Sequence, residues 1–226
     1  MIKIGDVTDE SRRKPYRVEI SVAAGRDEVW DAVTQPPIIR QWFGWDYDGL
    51  DDEIKHIFVN EAKNLAPERM GWADGSYLEV SGDDKRSTVR AVRGEQPARD
   101  PERYDAIEEG WKAFLVQLRH LLDKSPKGLR RTIYLTGTAA GRKVLGLATG
   151  DWAEVGTRVA WAVDRAGHLI VVSAQLPLDS PGAGHIEVIL STFGATDAAF
   201  DAYRESWSRR WTRMAKDATV TVGMDS

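Results

Sequence analysis

The order of predicted elements near the start of the chain constrains the fold more than any other feature of the sequence. Apolar and polar residues alternate over residues 16–22, the pattern of a half-buried strand. A small-residue turn at 23–25 leads to residues 26–33, where apolar positions have helical spacing and the acidic first turn suits the helix dipole. The Pro-Pro pair at 36–37 ends this helix and begins another at 38–43. A strand and two short helices therefore open the predicted domain.

Large aromatic residues are concentrated directly after the second helix, at Trp42, Phe43, Trp45 and Tyr47. Aromatic side chains of this size fill hydrophobic cores, and they also line apolar ligand pockets. The two interpretations are compatible, and the sequence leaves both open.

A third helix is favoured next, because Leu50, Ile54, Ile57 and Phe58 recur at helical spacing and three acidic residues, at 51–53, put negative charge in the first turn. A strand at 54–60 is the alternative.

Period-two alternation replaces the helical spacing after Pro67. The Asp-Gly pair at 74–75 lies between two alternating runs, which is a strong hairpin signal. Residues 87–93 predict a further strand, and residues 94–103 a charged loop with two prolines.

A long amphipathic helix at 106–124 is the clearest element of the sequence. Burying its apolar stripe contributes on the order of 10–20 kcal/mol before entropy is subtracted, so the helix must pack on a large apolar surface. The sheet is the only candidate, and the predicted fold class is α+β, with an antiparallel sheet packed on a long C-terminal helix. The stripe consists of Ile107, Trp111, Phe114, Leu115, Leu118, Leu121 and Leu122.

The second half of the chain repeats the order of elements in the first. Residues 139–149 echo residues 23–34, with an Ala-Ala-Gly-Arg turn before a short helix-like run. Strands are predicted at 131–135, 158–163, 168–175 and 185–191, and a closing helix at 197–216.

These patterns predict a tandem of two reduced units. We place a flexible arm at 1–15, the first unit at 16–126 and an abbreviated second unit at 129–226.

Composition excludes several classes of function. The net charge is -4 with acidic and basic residues well mixed, so nucleic acid is not an expected partner. The absence of cysteine excludes disulfides, thiolate catalysis and Cys-ligated zinc. No apolar run approaches the length of a membrane helix or resembles a signal peptide, so we expect no membrane partner and a cytoplasmic location.

No motif predicts a catalytic residue, a metal site or a cofactor. Residues 137–143 read as a glycine-rich turn rather than a P-loop. His185 and Glu187 share a face of a predicted strand, and a structural or solvated pair is the simpler interpretation than a metal or acid-base pair. The four histidines fall on different elements, at His56, His120, His168 and His185.

Polar residues of the long helix also have structural explanations. His120 lies beside the apolar stripe and is expected at the solvent side or the rim. Glu108 and Glu109 lie in the first turn, where the helix dipole accounts for them.

The segment VEISVAAGRDEVWDAVTQPPIIRQWFGW, residues 18–45, resembles the opening of the activator of heat-shock-ATPase homologue family, a branch of the START-like SRPBCC superfamily. The resemblance covers residues 16–47, is supported by the helix at 106–124 and is weak over 129–226. It implies a helix-grip fold that encloses an apolar cavity. The matching positions are Val18, Ile20, Ala23 or Ala24, Val29, Trp30, Ala32, Thr34, Trp42 and Phe43.

This sequence departs from the family pattern in two ways. A predicted helix replaces the strand meander that usually follows the Trp-Phe pair, and another hundred residues follow the helix at 106–124. A pairing of two reduced domains would explain both departures, with a cavity that is shrunken or shared.

The first functional hypothesis is a noncatalytic START-like protein that holds a hydrophobic or aromatic small molecule in a tryptophan-rich cavity between sheet and helix. A tightly packed aromatic core without a cavity is the alternative for its nine tryptophans. The expected ligand-binding residues of the first unit are Trp42, Phe43, Trp45, Tyr47, Trp72, Trp111, Phe114 and Leu118. Those of the second unit are Trp161, Tyr203, Trp207 and Trp211.

Two other functions stay open because one scaffold hosts many activities. The family resemblance implies a cochaperone-like interaction module that stimulates a heat-shock ATPase. The superfamily also includes cyclase-type and hydrolase-type enzymes. A protein partner or a homodimer is compatible with all three functions.

Overall fold

The structure is a computed structural model that describes residues 14–94, 98–148 and 151–223. Most of the predicted flexible arm, residues 1–13, lies outside the described residues. Lys14 is buried, and its ammonium group donates hydrogen bonds to the carbonyl oxygens of Pro101 (2.6 Å) and Arg103 (2.8 Å). Lys14 therefore belongs to the folded body and not to a flexible arm.

The first half of the chain forms a five-stranded antiparallel sheet, sheet 1, in the order β1-β5-β4-β3-β2. Its strands are β1 (Tyr16–Val22), β2 (Lys63–Ala66), β3 (Arg69–Gly71), β4 (Tyr77–Gly82) and β5 (Ser87–Arg93). Its helices are α1 (Arg26–Thr34), α2 (Pro36–Ile39), α3 (Leu50–Lys55) and α4 (Ala106–Lys124), with a π-helical turn at His56–Asn60.

The structure confirms the main predictions for this half. Residues 50–60 are helical and not a strand, the Asp-Gly pair at 74–75 joins β3 to β4, and α4 has the predicted bounds. Strand β2 was not predicted, because its four residues are all exposed and carry no alternating pattern.

The second half forms a six-stranded antiparallel sheet, sheet 2, in the order β11-β6-β10-β9-β8-β7. Its strands are β6 (Arg130–Ala140), β7 (Trp152–Val155), β8 (Val159–Val163), β9 (Leu169–Ala174), β10 (Ala183–Phe193) and β11 (Lys216–Val222). Its helices are α5 (Gly141–Leu145) and α6 (Asp197–Met214).

The prediction of a glycine-rich turn at 137–143 was wrong. Gly137 pairs with Ile186 inside the β6–β10 ladder, and α5 begins at Gly141. A Cβ atom at Gly141 would lie 2.5 Å from the carbonyl oxygen of Leu178, so glycine permits a close approach of two backbones there.

Both halves share one topology. In each, the first strand pairs antiparallel with the last strand of a meander, β1 with β5 and β6 with β10. In each, one or more helices follow the first strand and a long helix follows the last. The chain is therefore α+β with two helix-grip units in tandem, and β11 extends the second sheet.

Helix α4 lies between the two sheets. One face belongs to the core of sheet 1, while the opposite face packs on sheet 2, whose far side is covered by α6. Sheet 1, α4, sheet 2 and α6 therefore stack in this order. The face toward sheet 1 contributes Trp111, Leu115, Leu118 and Leu122. The face toward sheet 2 joins Ala113 and Val116 to Leu169 and Val171.

None of the helices in the described ranges combines the length and the apolar character needed to cross a membrane.

Candidate functional site

A buried arginine holds the aromatic segment 42–47 against sheet 2. The Arg130 guanidinium donates to the carbonyl oxygens of Phe43 (3.1 Å) and Gly44 (2.7 Å) and to the hydroxyl of Ser191 (3.2 Å). It also donates to Oε1 of Gln117, on α4. Burial lowers the pKa of Arg130 to about 10, and the Asp46 carboxylate opposes this shift. Arg130 therefore ties the first unit, α4 and sheet 2 together.

Asp46 fixes the same segment to β6. Its carboxylate accepts a hydrogen bond from the backbone N–H of Thr132 (2.7 Å), and its own N–H donates to the Thr132 hydroxyl (2.6 Å). Arg40 forms an ion pair with the other oxygen of this carboxylate. The backbone on either side of Trp45 is consequently anchored.

This anchoring places the Trp45 ring flat on Tyr134 of β6, with centroids 3.7 Å apart and an interplanar angle of 8°. Each ring removes one face of the other from water, and aromatic side chains bury large apolar areas in this way. The stacked pair forms one wall of a cavity at the junction of the two units.

The cavity, which we call the aromatic cavity, has a volume of about 350 Å³. Its walls come from the segment after α2, from α3, from the first turns of α4 and from β6 and β11. Its lining residues are Phe43, Gly44, Trp45, Tyr47, Asp48, Glu53, Ile107, Gly110, Trp111, Phe114, Tyr134 and Thr221. Six of these carry aromatic rings, and the volume is in the range of small-molecule sites.

The two tyrosines of the aromatic cavity both donate their hydroxyl hydrogen to a carboxylate. Tyr47 donates to Oε2 of Glu53, and Tyr134 donates to Oε1 of Glu187 at 2.8 Å. Burial, followed by the nearby carboxylate, raises the pKa of both phenols above the ordinary tyrosine value. Both therefore stay protonated at neutral pH and act as hydrogen-bonding groups.

A smaller cavity of about 40 Å³ adjoins the first and shares Gly110 with it. His185 and Glu187 lie in its wall, with Nε2 and Oε1 3.6 Å apart, so the predicted shared face exists. Glu187 is at the same time the acceptor for Tyr134. Within the described ranges, no group of three His, Cys, Asp or Glu side chains is arranged to hold a metal ion.

The structure brings together five of the eight residues expected to bind ligand in the first unit. Those that line the aromatic cavity are Phe43, Trp45, Tyr47, Trp111 and Phe114. The other three lie in the adjoining core: Trp42 donates to the Ala32 carbonyl oxygen (2.8 Å), Trp72 donates to that of Ile57 (2.8 Å), and Leu118 is fully buried.

The four residues expected in the second unit do not converge on one cavity. Trp207 and Trp211 are buried in the core between α6 and sheet 2, and Tyr203 donates to Asp164 at 2.8 Å. Trp161 lies under the Arg119 guanidinium and lines a shallow groove of about 460 Å³.

His120 was expected at the solvent side or the rim, and this prediction was wrong. Its side chain is 6% exposed, its ring lies 5.9 Å from that of Phe193 on β10, and its Nδ1 atom has no hydrogen-bond partner among the described residues. The interpretation considered only sheet 1 as a surface for α4, whereas sheet 2 covers the face that carries His120.

The two glutamates in the first turn of α4 form ion pairs in addition to their interaction with the helix dipole. Both are buried, and Lys112 lies 3.0 Å from each carboxylate. Lys14 lies 2.6 Å from Glu108 as well.

Sequence reasoning missed the groups that position the cavity, namely Asp46, Gln117, Arg130, Thr132 and Tyr134. These residues are distant in sequence, and a buried Arg130 at the start of a strand has no local signal. Tyr134 was predicted to lie on a strand, but which strand face meets the first unit follows only from the docking of the two halves.

The fold and this site define a helix-grip protein with a cavity at the junction of its two units. No family model and no curated protein matches the chain. The resemblance to the activator of heat-shock-ATPase homologue family therefore stays a prediction.

Two solved structures are similar at low TM-score. One is DynU16, described as a putative protein in the dynemicin biosynthetic locus, with 18% identity, 88% of this chain and 96% of that chain covered, and a TM-score of 0.34. The other is the di-domain ARO/CYC BexL from the BE-7585A biosynthetic pathway, with 14% identity, 89% and 96% covered, and a TM-score of 0.33.

Proposed function

We propose that this protein is a noncatalytic binding protein that holds a small aromatic or apolar molecule in the aromatic cavity. The observation that carries the proposal is a cavity of about 350 Å³ that is lined by six aromatic side chains. It lies between α4 and the strands β6 and β11 of sheet 2. Cavities of this size and lining bury most of the surface of a small ligand.

The two tyrosines of the aromatic cavity suit hydrogen bonding to a ligand rather than proton abstraction from it. A general base must be deprotonated at the working pH so that it can accept a proton. The raised pKa values of Tyr47 and Tyr134 keep both phenols protonated near neutral pH, so neither acts as a general base there.

Anchoring by Arg130 and Asp46 also suits a binding site. A wall fixed before the ligand arrives loses little conformational entropy on binding. The backbone is held by hydrogen bonds on both sides of Trp45, at the Gly44 carbonyl and the Asp46 N–H, so we expect the stack of Trp45 with Tyr134 to persist when the cavity is empty.

The test is a fluorescence titration with N-phenyl-1-naphthylamine, a neutral aromatic dye whose emission rises in apolar surroundings. We expect saturable binding of one dye per chain. Ile107→Trp adds a large ring to the cavity wall, and we expect it to weaken dye binding at least tenfold. Leu129→Trp is the matched control, since Leu129 is 75% exposed and does not line the cavity.

Equal dye binding by Ile107→Trp and the wild-type protein would contradict the proposal, as would a wild-type protein that binds no dye. Native mass spectrometry of the purified protein gives a second measurement, because a retained natural ligand adds a defined mass that Ile107→Trp should lose.

A further inference from the structure

The aromatic cavity has a charge bias. Among its lining residues, Asp48 and Glu53 are acidic, whereas lysine, arginine and histidine are missing from that set. The cavity walls therefore carry formal negative charge and no compensating cation.

Two guanidinium groups lie close to the cavity wall, and both have other partners. Arg130 donates to the carbonyl oxygens of Phe43 and Gly44, to Ser191 and to Gln117. Arg40 forms ion pairs with Asp46 and, at 3.0 Å, with Asp51, both outside the cavity wall. Within the described part of the chain, neither Asp48 nor Glu53 has a lysine, arginine or histidine nitrogen within 4.0 Å.

Local backbone geometry places these carboxylates at the cavity. Gly49 has a φ of 101°, a left-handed conformation that glycine adopts without strain, and it caps the start of α3. The turn buries Leu50 in the core, leaves Asp48 exposed at the cavity mouth and sets Glu53 half-buried in the wall.

The hydroxyl groups strengthen the same bias. Because Tyr47 and Tyr134 give their hydrogens to Glu53 and Glu187, their oxygen atoms offer only acceptor lone pairs to a ligand. Oε1 of Glu53 has no hydrogen-bond partner among the described residues. The side-chain donors that remain in the lining are the neutral indole of Trp45 and the hydroxyl of Thr221, because the Trp111 indole N–H faces the Tyr16 hydroxyl.

Aromatic faces attract cations through the ring quadrupole, and a cage of several rings beside a carboxylate is a general way to bind an organic ammonium ion. The acceptor oxygens, the two carboxylates, which have no cationic partner among the described residues, and the six rings surround the same space. An anionic ligand would meet repulsion at Glu53 and Asp48, and a neutral one would leave Glu53 without a charged partner.

We propose that the aromatic cavity selects organic cations: molecules with an aromatic or apolar body and a positively charged amine or quaternary ammonium group that lies beside Glu53. This inference rests on the proposed binding function and specifies the chemical class of its ligand.

The test uses three probes of similar size in competition with the bound dye. Phenyltrimethylammonium is the cation, tert-butylbenzene is its neutral isostere with carbon in place of nitrogen, and benzenesulfonate is the anion. We expect the cation to displace the dye with at least tenfold higher affinity than the neutral probe, and the anion to be weakest.

Glu53→Gln removes the charge and keeps an acceptor for the Tyr47 hydroxyl. We expect it to weaken binding of the cation about tenfold and to leave tert-butylbenzene unchanged. Asp52→Asn is the control, because Asp52 is an exposed acid on the same helix outside the cavity wall. This variant should bind all three probes as the wild-type protein does.

Equal affinity for the cation and its neutral isostere would overturn the cation selectivity and leave the binding function intact. An equal loss of both probes in Glu53→Gln would overturn the role of the Glu53 charge. Failure of the dye to bind the wild-type protein would overturn the binding function itself.

Discussion

The Arg130 guanidinium is buried, and hydrogen bonds to neighbouring protein groups replace those that it would make with water. Moving a guanidinium from water into a protein interior costs several kcal/mol unless hydrogen bonds replace the lost solvation. Here two backbone carbonyls, a hydroxyl and an amide oxygen accept from it. The two carbonyl groups belong to Phe43 and Gly44, which line the cavity. The hydrogen bonds that compensate the buried charge therefore also fix the position of the cavity wall.

His120 makes the stability of the fold depend on pH. Burial, with the positive charges of Lys124 and Arg130, lowers its pKa to about 4, and the Asp123 carboxylate opposes the shift only in part. The unfolded chain, with a pKa near 6.5, binds the proton first as the pH falls. His120 therefore contributes stability above about pH 6.5, and this contribution is lost as the pH falls toward 4.

We predict that acidification from pH 7.5 to 5 costs the wild-type protein roughly 2 kcal/mol through His120. His120→Leu should abolish this part of the pH dependence. Urea unfolding of both proteins at the two pH values gives the measurement, with each protein at pH 7.5 as its own reference. The same loss of stability in His120→Leu would show that other groups cause it.

Helices and strands with a strong local sequence pattern were predictable. Those whose position depends on pairing with distant parts of the chain were not. Helix α4 has the predicted bounds because its apolar stripe and the Asp105 N-cap, which accepts from Ile107 and Glu108 N–H groups, are local features. Strand β11 follows α6 after one residue and pairs with β6, a strand far earlier in the sequence, from Lys216 opposite Thr138 to Val222 opposite Ile133. The register of such a strand is a tertiary property.

The start of α5 depends on a close contact that only glycine allows. We predict that Gly141→Ala destabilises the protein by about 1–3 kcal/mol, because the added methyl group would meet the Leu178 carbonyl oxygen at 2.5 Å. Gly182→Ala is the control, since the nearest atom to its Cβ lies at 3.6 Å. Thermal unfolding of both variants measures the difference, and similar losses would refute the steric explanation.

The position of α4 between two sheets is the feature of the whole molecule that the sequence did not predict. The sequence predicted the apolar stripe toward sheet 1, but the opposite face carries Ala113, Val116, Gln117 and His120, a mixture that does not indicate burial. These residues are buried because sheet 2 packs against them. The sequence did not predict this packing, and it therefore did not predict the cavity at the junction of the two units.

Because α4 contributes to the packing of both sheets, we predict that the two halves unfold as one cooperative unit. Hydrogen exchange followed by mass spectrometry should show that peptides from β4–β5 and β9–β10 lose protection at the same urea concentration. Val116→Ser, on the face toward sheet 2, should lower that concentration equally for both pairs. Two separate transitions in the wild-type protein would contradict this expectation.

Strand β11 couples the aromatic cavity to the edge of sheet 2. It is the edge strand of sheet 2, and Thr221, near its end, is also a wall of the aromatic cavity. A molecule that binds only the docked strand stabilises that state by mass action. Residues 216–222 would then detach from β6 less often, and an endoprotease would cleave them more slowly. The protease sensitivity of this strand would thus report whether the cavity is filled.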